Sequence, residues 1–206
     1  MKMPGKLIVF EGVDAAGKSS LSKALFQRLV AEGKQVRLFA FPGNDPRTLG
    51  GLVYKIHHAP SEFGIDRMTA ASLQTLHIAA HLDAIEQVFI LALEHGDTII
   101  LDRFWWSTWV YGLIGGVPES ILKHLISAER VMWGGWQPSA LFYVTRAGPL
   151  RVEPLQNWQR LKEAYESLAL REKEKYPVHV ISNDAVQEEA LQQISQIFAA
   201  TLKKGS

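Results

Sequence analysis

The segment Gly12-Val13-Asp14-Ala15-Ala16-Gly17-Lys18-Ser19 sets four residues between two glycines and follows the second with a lysine and a hydroxyl residue. That order suits a polyphosphate. Glycines let the chain bend around the anion, successive amides at a helix start point at it, and the helix dipole favours negative charge there. Gly12, Ala15, Ala16 and Gly17 are expected to contribute backbone, Lys18 a point charge on the β- and γ-phosphate oxygens, Ser19 a hydroxyl oxygen to Mg²⁺, and Ser20 a contact to the α-phosphate. The competing reading, a glycine turn that merely caps a helix, gives no reason for lysine and serine after the second glycine.

A second charged pair, Asp102-Arg103, closes the apolar run Thr98 to Leu101. In an open parallel sheet the carboxyl ends of the strands line the ligand crevice, so Asp102 is expected beside the phosphates. There it can hold magnesium, directly or through water, or orient an attacking hydroxyl. A plain cap for the next helix is the alternative, but it leaves Arg103 without explanation.

These groups need a scaffold, and the hydrophobic pattern supplies one. Short unbroken apolar runs, Leu7 to Phe10, Val36 to Phe41, Thr98 to Leu101, Leu141 to Val144 and Val178 to Ile181, read as strands buried on both faces. Segments of helical period lie between them, at 18–33, 48–58, 68–95, 104–113, 118–130, 155–175 and 185–203. Strand and helix alternate, which predicts a parallel α/β sheet covered on both sides. Gly96-Asp97 is a stop for the long helix, and residues 42–46 and 115–118 read as loops within one domain, taken as 1–206.

With 206 residues, 47% of them hydrophobic, the chain supports one substantial core. Lysine and arginine total 22 against 21 acidic residues, a net charge of +1, so nothing calls for nucleic acid or an anionic membrane as partner. There is no cysteine, which excludes disulfides and thiolate metal ligands. The N-terminal stretch MKMPGKLIVFEG is too short in apolar residues for a leader, and no run reaches the ~18 apolar residues of a membrane span, so a cytoplasmic location is expected.

The phosphate-binding segment with Phe10-Glu11 before it and Ser20 after it, Phe41-Pro42-Gly43, and Asp102-Arg103-Phe104 with Ser107 and Tyr111 together resemble the thymidylate kinase family of nucleoside monophosphate kinases. The resemblance implies five parallel strands flanked by helices on both faces, of the P-loop nucleoside triphosphate hydrolase type. It also implies ATP as donor, magnesium, and dTMP as acceptor in a facing cleft. On it, Asp14 would hydrogen-bond the acceptor sugar, Arg103 would hold the acceptor phosphate, and Phe104 would pack beside the acceptor, with Phe41, Pro42 and Tyr111 lining the same cleft.

Departures from the family pattern gather on the acceptor side. Ala40 stands where an arginine grips the acceptor phosphate, His77 where a phenylalanine stacks on thymine, His81 where a second arginine reaches the acceptor, and Gly112 where a polar residue touches the base. Arg47 and Arg67 are candidates to compensate. The arginine-bearing lid is shortened to about 145–154, leaving Arg146 and Arg151 to offset charge on the transferring phosphoryl group. The expected activity is therefore transfer of the γ-phosphoryl of ATP to a nucleoside monophosphate, best dTMP. The alternatives are a nucleoside or modified-pyrimidine nucleotide kinase, or a nucleotide-binding module that has lost transfer.

Other features read more simply. His77 and His81, one helical turn apart, are candidates to stack on or hydrogen-bond the acceptor base, against the alternative of plain packing, and a zinc reading lacks a third ligand of recognisable spacing. His57 and His58 read as cations at a helix C-terminus. Trp105, Trp106 and Trp109 cannot all face one pocket and are expected in the core or at the contact of a homodimer. Arg171 to Lys175 alternates in sign and reads as a solvated face.

Overall fold

The computed structural model describes residues 5–203, so the first four residues of the N-terminal stretch lie outside it. The strands are β1 Lys6–Glu11, β2 Val36–Ala40, β3 Thr98–Asp102, β4 Ala140–Thr145 and β5 Val178–Ser182. All pair in parallel, in the order β2-β3-β1-β4-β5. This is the five-stranded α/β sheet the apolar runs predict. The central strands β1, β3 and β4 are enclosed on both faces. The edge strands β2 and β5 are only partly covered, a departure from the expectation that every run is buried.

Helices α1 Lys18–Ala31, α2 Leu49–His58, α3 Ala70–Ala84, α4 Ile90–His95, α5 Trp105–Ile114, α6 Glu119–Met132, α7 Leu155–Glu172 and α8 Gln187–Lys203 fill the connections. Two begin on threonine caps. The Thr48 hydroxyl accepts from the Gly51 amide at 3.0 Å, and the Thr69 hydroxyl from the Ser72 amide at 3.1 Å. Gly96, at φ 92°, stops α4 where the sequence places the stop.

The long helix expected over 68–95 is not regular. A π turn over Ile85–Phe89 joins α3 to α4, and one extra residue in that turn shifts the helix phase. Gln74, Ile78 and His81 are buried on α3, while Ile85, Phe89 and Leu93 turn into the core beside the sheet. The whole helix, Ala70–His95, is long and apolar enough by length and composition to cross a membrane, contrary to the reading of the bare sequence. In this fold it packs against α2, α5, α6 and β3.

Register fixes the working edge. Phe10 pairs with Asp102, Ala40 with Asp102, Phe10 with Phe142 and Thr145 with Ser182, so the carboxyl ends of all five strands share one side of the sheet. The strand order reverses at β1, the point at which ligands bind in such sheets.

Candidate active site

The chain turns sharply out of β1 at Gly12, whose φ of 143° and closeness to β4 both require glycine: a Cβ there would lie 2.2 Å from the Val144 carbonyl oxygen. Ala15 takes the left-handed conformation at φ 60°, and Gly17, at φ 98°, opens α1. Among the described residues the amides of Ala15, Gly17, Lys18 and Ser19 donate to no protein carbonyl. They are therefore free to receive an anion at the start of α1, beside the exposed Ser19 and Ser20. The loop's carbonyls, by contrast, are tied outward. Trp158 Nε1 donates to the Asp14 oxygen, the Leu150 amide to the Ala15 oxygen and Asn183 Nδ2 to the Ala16 oxygen, each at 2.8 Å.

Lys18 is 4% exposed and donates to the Val13 carbonyl oxygen at 2.9 Å. Its Nζ stands 3.7 Å from Asp14 Oδ1. Burial, and then the Arg103 charge, pull the Lys18 ammonium down to about 8.

Arg103 follows β3 with φ 76°, a strained value for arginine. Its amide donates to the Phe10 carbonyl oxygen at 2.9 Å, which clips the end of β3 to the end of β1. Its guanidinium donates from Nη2 to Asp14 Oδ1 and from Nη1 to Ser107 Oγ at 3.1 Å, and lies 5.7 Å from the Tyr111 ring centre. Burial opposes the Arg103 charge, but Asp14 foremost holds its proton well above the ordinary range. Burial would raise Asp14, yet Arg103 and then Lys18 outweigh it and hold the carboxyl at about 2. The Tyr111 hydroxyl accepts from the Asp14 amide at 3.2 Å, so Asp14, Arg103 and Tyr111 form one unit.

Asp102 is 8% exposed, and its Oδ1 is enclosed without any hydrogen-bond partner among the described residues. An orphaned carboxylate oxygen beside a phosphate loop fits a divalent cation. Ser19 and Asp102 are the residues that would hold magnesium.

The histidines form a row that the sequence does not reveal. His77 Nε2 lies 3.2 Å from His57 Nδ1, so His57 belongs to the cleft and is more than a helix-terminal cation. Burial first, then His81 and His57, pull His77 down to about 3, so it is neutral near neutral pH. His58 does follow the helix-end reading, with Nδ1 at 2.8 Å from the Tyr54 carbonyl oxygen. His81 sits deeper, stacked on Phe41 at 3.7 Å between ring centres and joined through Nδ1 to Glu129 Oε2 at 2.8 Å. Phe41 is thus buried as a support for the mouth of the cleft, with Pro42 half-buried after it. Phe104 also turns inward, against Trp133 and Trp105.

Ala40 is exposed, and neither proposed substitute joins the cluster. Arg47 is 86% exposed and folded onto Asp45 at 2.9 Å, and Arg67 is exposed. On the lid, Arg146 is anchored by carbonyl oxygens, at 3.2 Å to Gly148 and also to Asn183, whereas Arg151 is 70% exposed and paired with Glu153 at 2.8 Å. The Glu153 carboxylate, first by its hydrogen bond and then by its charge, raises the Arg151 guanidinium above its ordinary range.

Two groups escaped the reading of the sequence. Glu11, wholly buried, accepts from the amides of Phe104 at 2.7 Å and Ser107 at 3.0 Å, the hydroxyls of Ser107 at 2.9 Å and Tyr165 at 3.2 Å, and the Gly12 amide at 3.3 Å. Burial pushes its carboxyl up. A carboxylate ending an apolar strand was the available signal. Asn183, one residue beyond β5, was findable by the same rule that found Asp102. Trp105, Trp106 and Trp109 are all buried within the chain, Trp105 under Arg130 and Trp109 under Arg171. Glu172 is enclosed rather than solvated, held by Arg130 at 3.0 Å and Lys175 at 2.8 Å.

The family model described as "Thymidylate kinase" matches residues 10–198. A thymidylate kinase of Leptospira interrogans is 27% identical over 97% of this chain and 96% of its own length. One from Chlamydia caviae is 38% identical over 59% of this chain and 55% of its own length. The crystal structure of thymidylate kinase from Ehrlichia chaffeensis superposes with a TM-score of 0.76, at 19% identity, covering 95% of this chain and 100% of that one. A phosphate loop, an unpartnered strand-end carboxylate and the Asp14-Arg103 unit, spanned by a family match over nearly the whole chain, lead to one conclusion: the chain belongs to the thymidylate kinase family.

Proposed function

We propose that the chain transfers the γ-phosphoryl group of ATP to dTMP, giving ADP and dTDP. The observation that carries this reading is the convergence of two cations on one oxygen. Lys18 from the phosphate loop and Arg103 from the end of β3 both approach Asp14 Oδ1. Donor and acceptor phosphates must meet between such groups for transfer.

In this reading the donor triphosphate lies on the free amides of residues 15 and 17–19, and Lys18 leaves the Val13 carbonyl for the β- and γ-oxygens. Arg103 holds the acceptor phosphate, and Asp14 accepts from the sugar hydroxyl. An oxygen of the acceptor phosphate attacks the γ-phosphorus, the bond to the β–γ bridging oxygen breaks, and ADP departs with that electron pair. The dianionic acceptor has no proton to lose in the step. Bound magnesium would supply charge to the β- and γ-oxygens. Arg151, itself exposed and paired with half-buried Glu153, is the lid group that can turn inward. The setting is the cytoplasm, where a chain lacking cysteine has no disulfide to maintain.

One observation favours a second reading. With Ala40 exposed and Arg47 committed to Asp45, Arg103 alone faces the acceptor phosphate, and an unphosphorylated or modified pyrimidine nucleoside would need fewer cations. Heating scans separate the two, because a ligand at 100 times its dissociation constant stabilises by about 2.7 kcal/mol. dTMP is expected to raise the melting temperature and thymidine to leave it unchanged; the reverse overturns the first reading. Turnover of ATP with dTMP that is lost in Lys18→Ala excludes a purely binding role.

A further inference from the structure

We infer that Gln74, on α3, is the residue that reads the pyrimidine edge of the acceptor. The inference rests on the dTMP kinase reading and adds a specificity-determining contact to it.

Gly112 creates no gap in the cleft wall. A Cβ built there would lie 2.6 Å from Leu122 Cδ2 and 3.2 Å from Gln74 Cγ, so α6 and α3 have moved into the space that a side chain on α5 would take. One turn further, Gly115 comes equally near α3: its Cβ would lie 3.2 Å from that of Ala70. Gly112 on α5 and Gly115 just past its end thus bring α3 close, and the residue at the approach is Gln74.

Gln74, His77 and His81 are spaced i, i+3 and i+7, which puts them along one face of α3. That face meets the acceptor cleft, since His77 touches His57 and senses the charge of Arg103. Gln74 is 6% exposed, yet its amide has no hydrogen-bond partner among the described residues. It also is not among the sealed, unpartnered atoms, which are Asp102 Oδ1 and Thr145 Oγ1. The amide therefore keeps a little exposure and is bonded by no group among the described residues. Buried amides are seldom left so, and where they are, a missing partner is the usual reason. Thr108 presents a similar case on α5: 3% exposed, one turn before Gly112, with no bond from its hydroxyl.

The chemistry of the ligand follows from the amide. Gln74 offers one acceptor and one donor side by side, the complement of the N3–H and O4 of thymine or uracil. An amide can rotate to serve cytosine as well, so Gln74 selects a pyrimidine edge more than it selects one pyrimidine.

The test compares dTMP with 3-N-methyl-dTMP, which lacks the N3 proton, in the unaltered protein and in Gln74→Leu and Gln74→Asn. The unaltered protein is expected to prefer dTMP in kcat/KM by about tenfold or more. In Gln74→Leu, KM for dTMP is expected to rise about tenfold with kcat little changed, and the preference over the methylated substrate to shrink to about twofold, with Gln74→Asn restoring part of it. A preference that stays intact in a folded Gln74→Leu overturns the inference while leaving the kinase reading in place. Should Gln74→Leu not fold, equal kcat/KM for the two substrates in the unaltered protein overturns it as well. Failure of the kinase reading shows separately, as absence of dTMP turnover before any substitution is made.

Discussion

Glu11 Oε1 accepts the backbone amide of Phe104 at 2.7 Å, so the buried carboxylate that ends β1 also holds the first turn of α5, ninety-three residues away. The same oxygen takes the Ser107 amide, and its partner oxygen takes the Gly12 amide. One side chain therefore fixes the phosphate loop against the segment that carries Arg103.

Glu11→Ala strips these amides of their acceptor and is expected to cost about 3–5 kcal/mol, lowering the melting temperature by roughly 6–20 °C. Glu11→Gln should cost far less, about 1–2 kcal/mol, because the Ser107 and Tyr165 hydroxyls can rotate to accept from the new amide. Calorimetry of both variants checks this, and equal losses would show that charge, not geometry, is what Glu11 provides.

Lys18 is expected to weaken the ligand-free protein. Its folded pKa, about 8, lies below the unfolded 10.5. Below pH 8 the ammonium is charged in both states and its burial counts against folding. Between about pH 8 and 10.5 the unfolded chain binds more protons, so this residue's contribution to stability rises with pH. Lys18→Met should therefore melt higher than the parent near pH 7, by on the order of 2 kcal/mol in stability, with the gap closing toward pH 10. The same variant should lose about a thousandfold or more in kcat. Melting curves at several pH values, taken without nucleotide, measure the first effect.

Asp102→Asn removes one charge from an oxygen that makes no protein hydrogen bond, so folding should be nearly unaffected, within about 1 kcal/mol. Activity should fall about a hundredfold, and the magnesium concentration giving half-maximal rate should rise. Rates measured across a magnesium titration distinguish this from simple loss of packing, which would leave the half-maximal concentration where it was.

The two lid arginines should separate kinetically. Arg151→Ala is expected to lower kcat about tenfold to a hundredfold with little change in the KM for ATP, as for a cation engaged only during transfer. Arg146→Ala frees the carbonyl oxygens of Gly148 and Asn183 and should instead raise the KM for ATP and loosen the lid. Steady-state kinetics of both variants decide the assignment.

Much of this was legible before any coordinates. Five apolar runs became five strands, and the two glycines with Lys18-Ser19 foretold a tight turn with free amides at a helix start, because local backbone chemistry and local sequence coincide there. Asp102 followed from the rule that strand ends face the crevice. The acceptor side was harder, because its contacts join residues far apart in the chain: His57 with His77, His81 with Glu129, Glu11 with Phe104. The sequence set His81 on a long helix one turn after His77, but only the fold shows Phe41 stacked against it. The irregular turn at 85–89 left no trace in composition, since a helix with one extra residue per turn uses the same apolar residue types.

That turn makes the number of residues between the histidine row and the core-facing segment as important as their identity. Each residue advances an α-helix by about 100°, so removing one residue from 85–89 would twist the cleft lining away from the sheet contacts as a crankshaft is thrown out of time. Chains that share this cleft should tolerate exchange of apolar side chains here far more readily than any change in length.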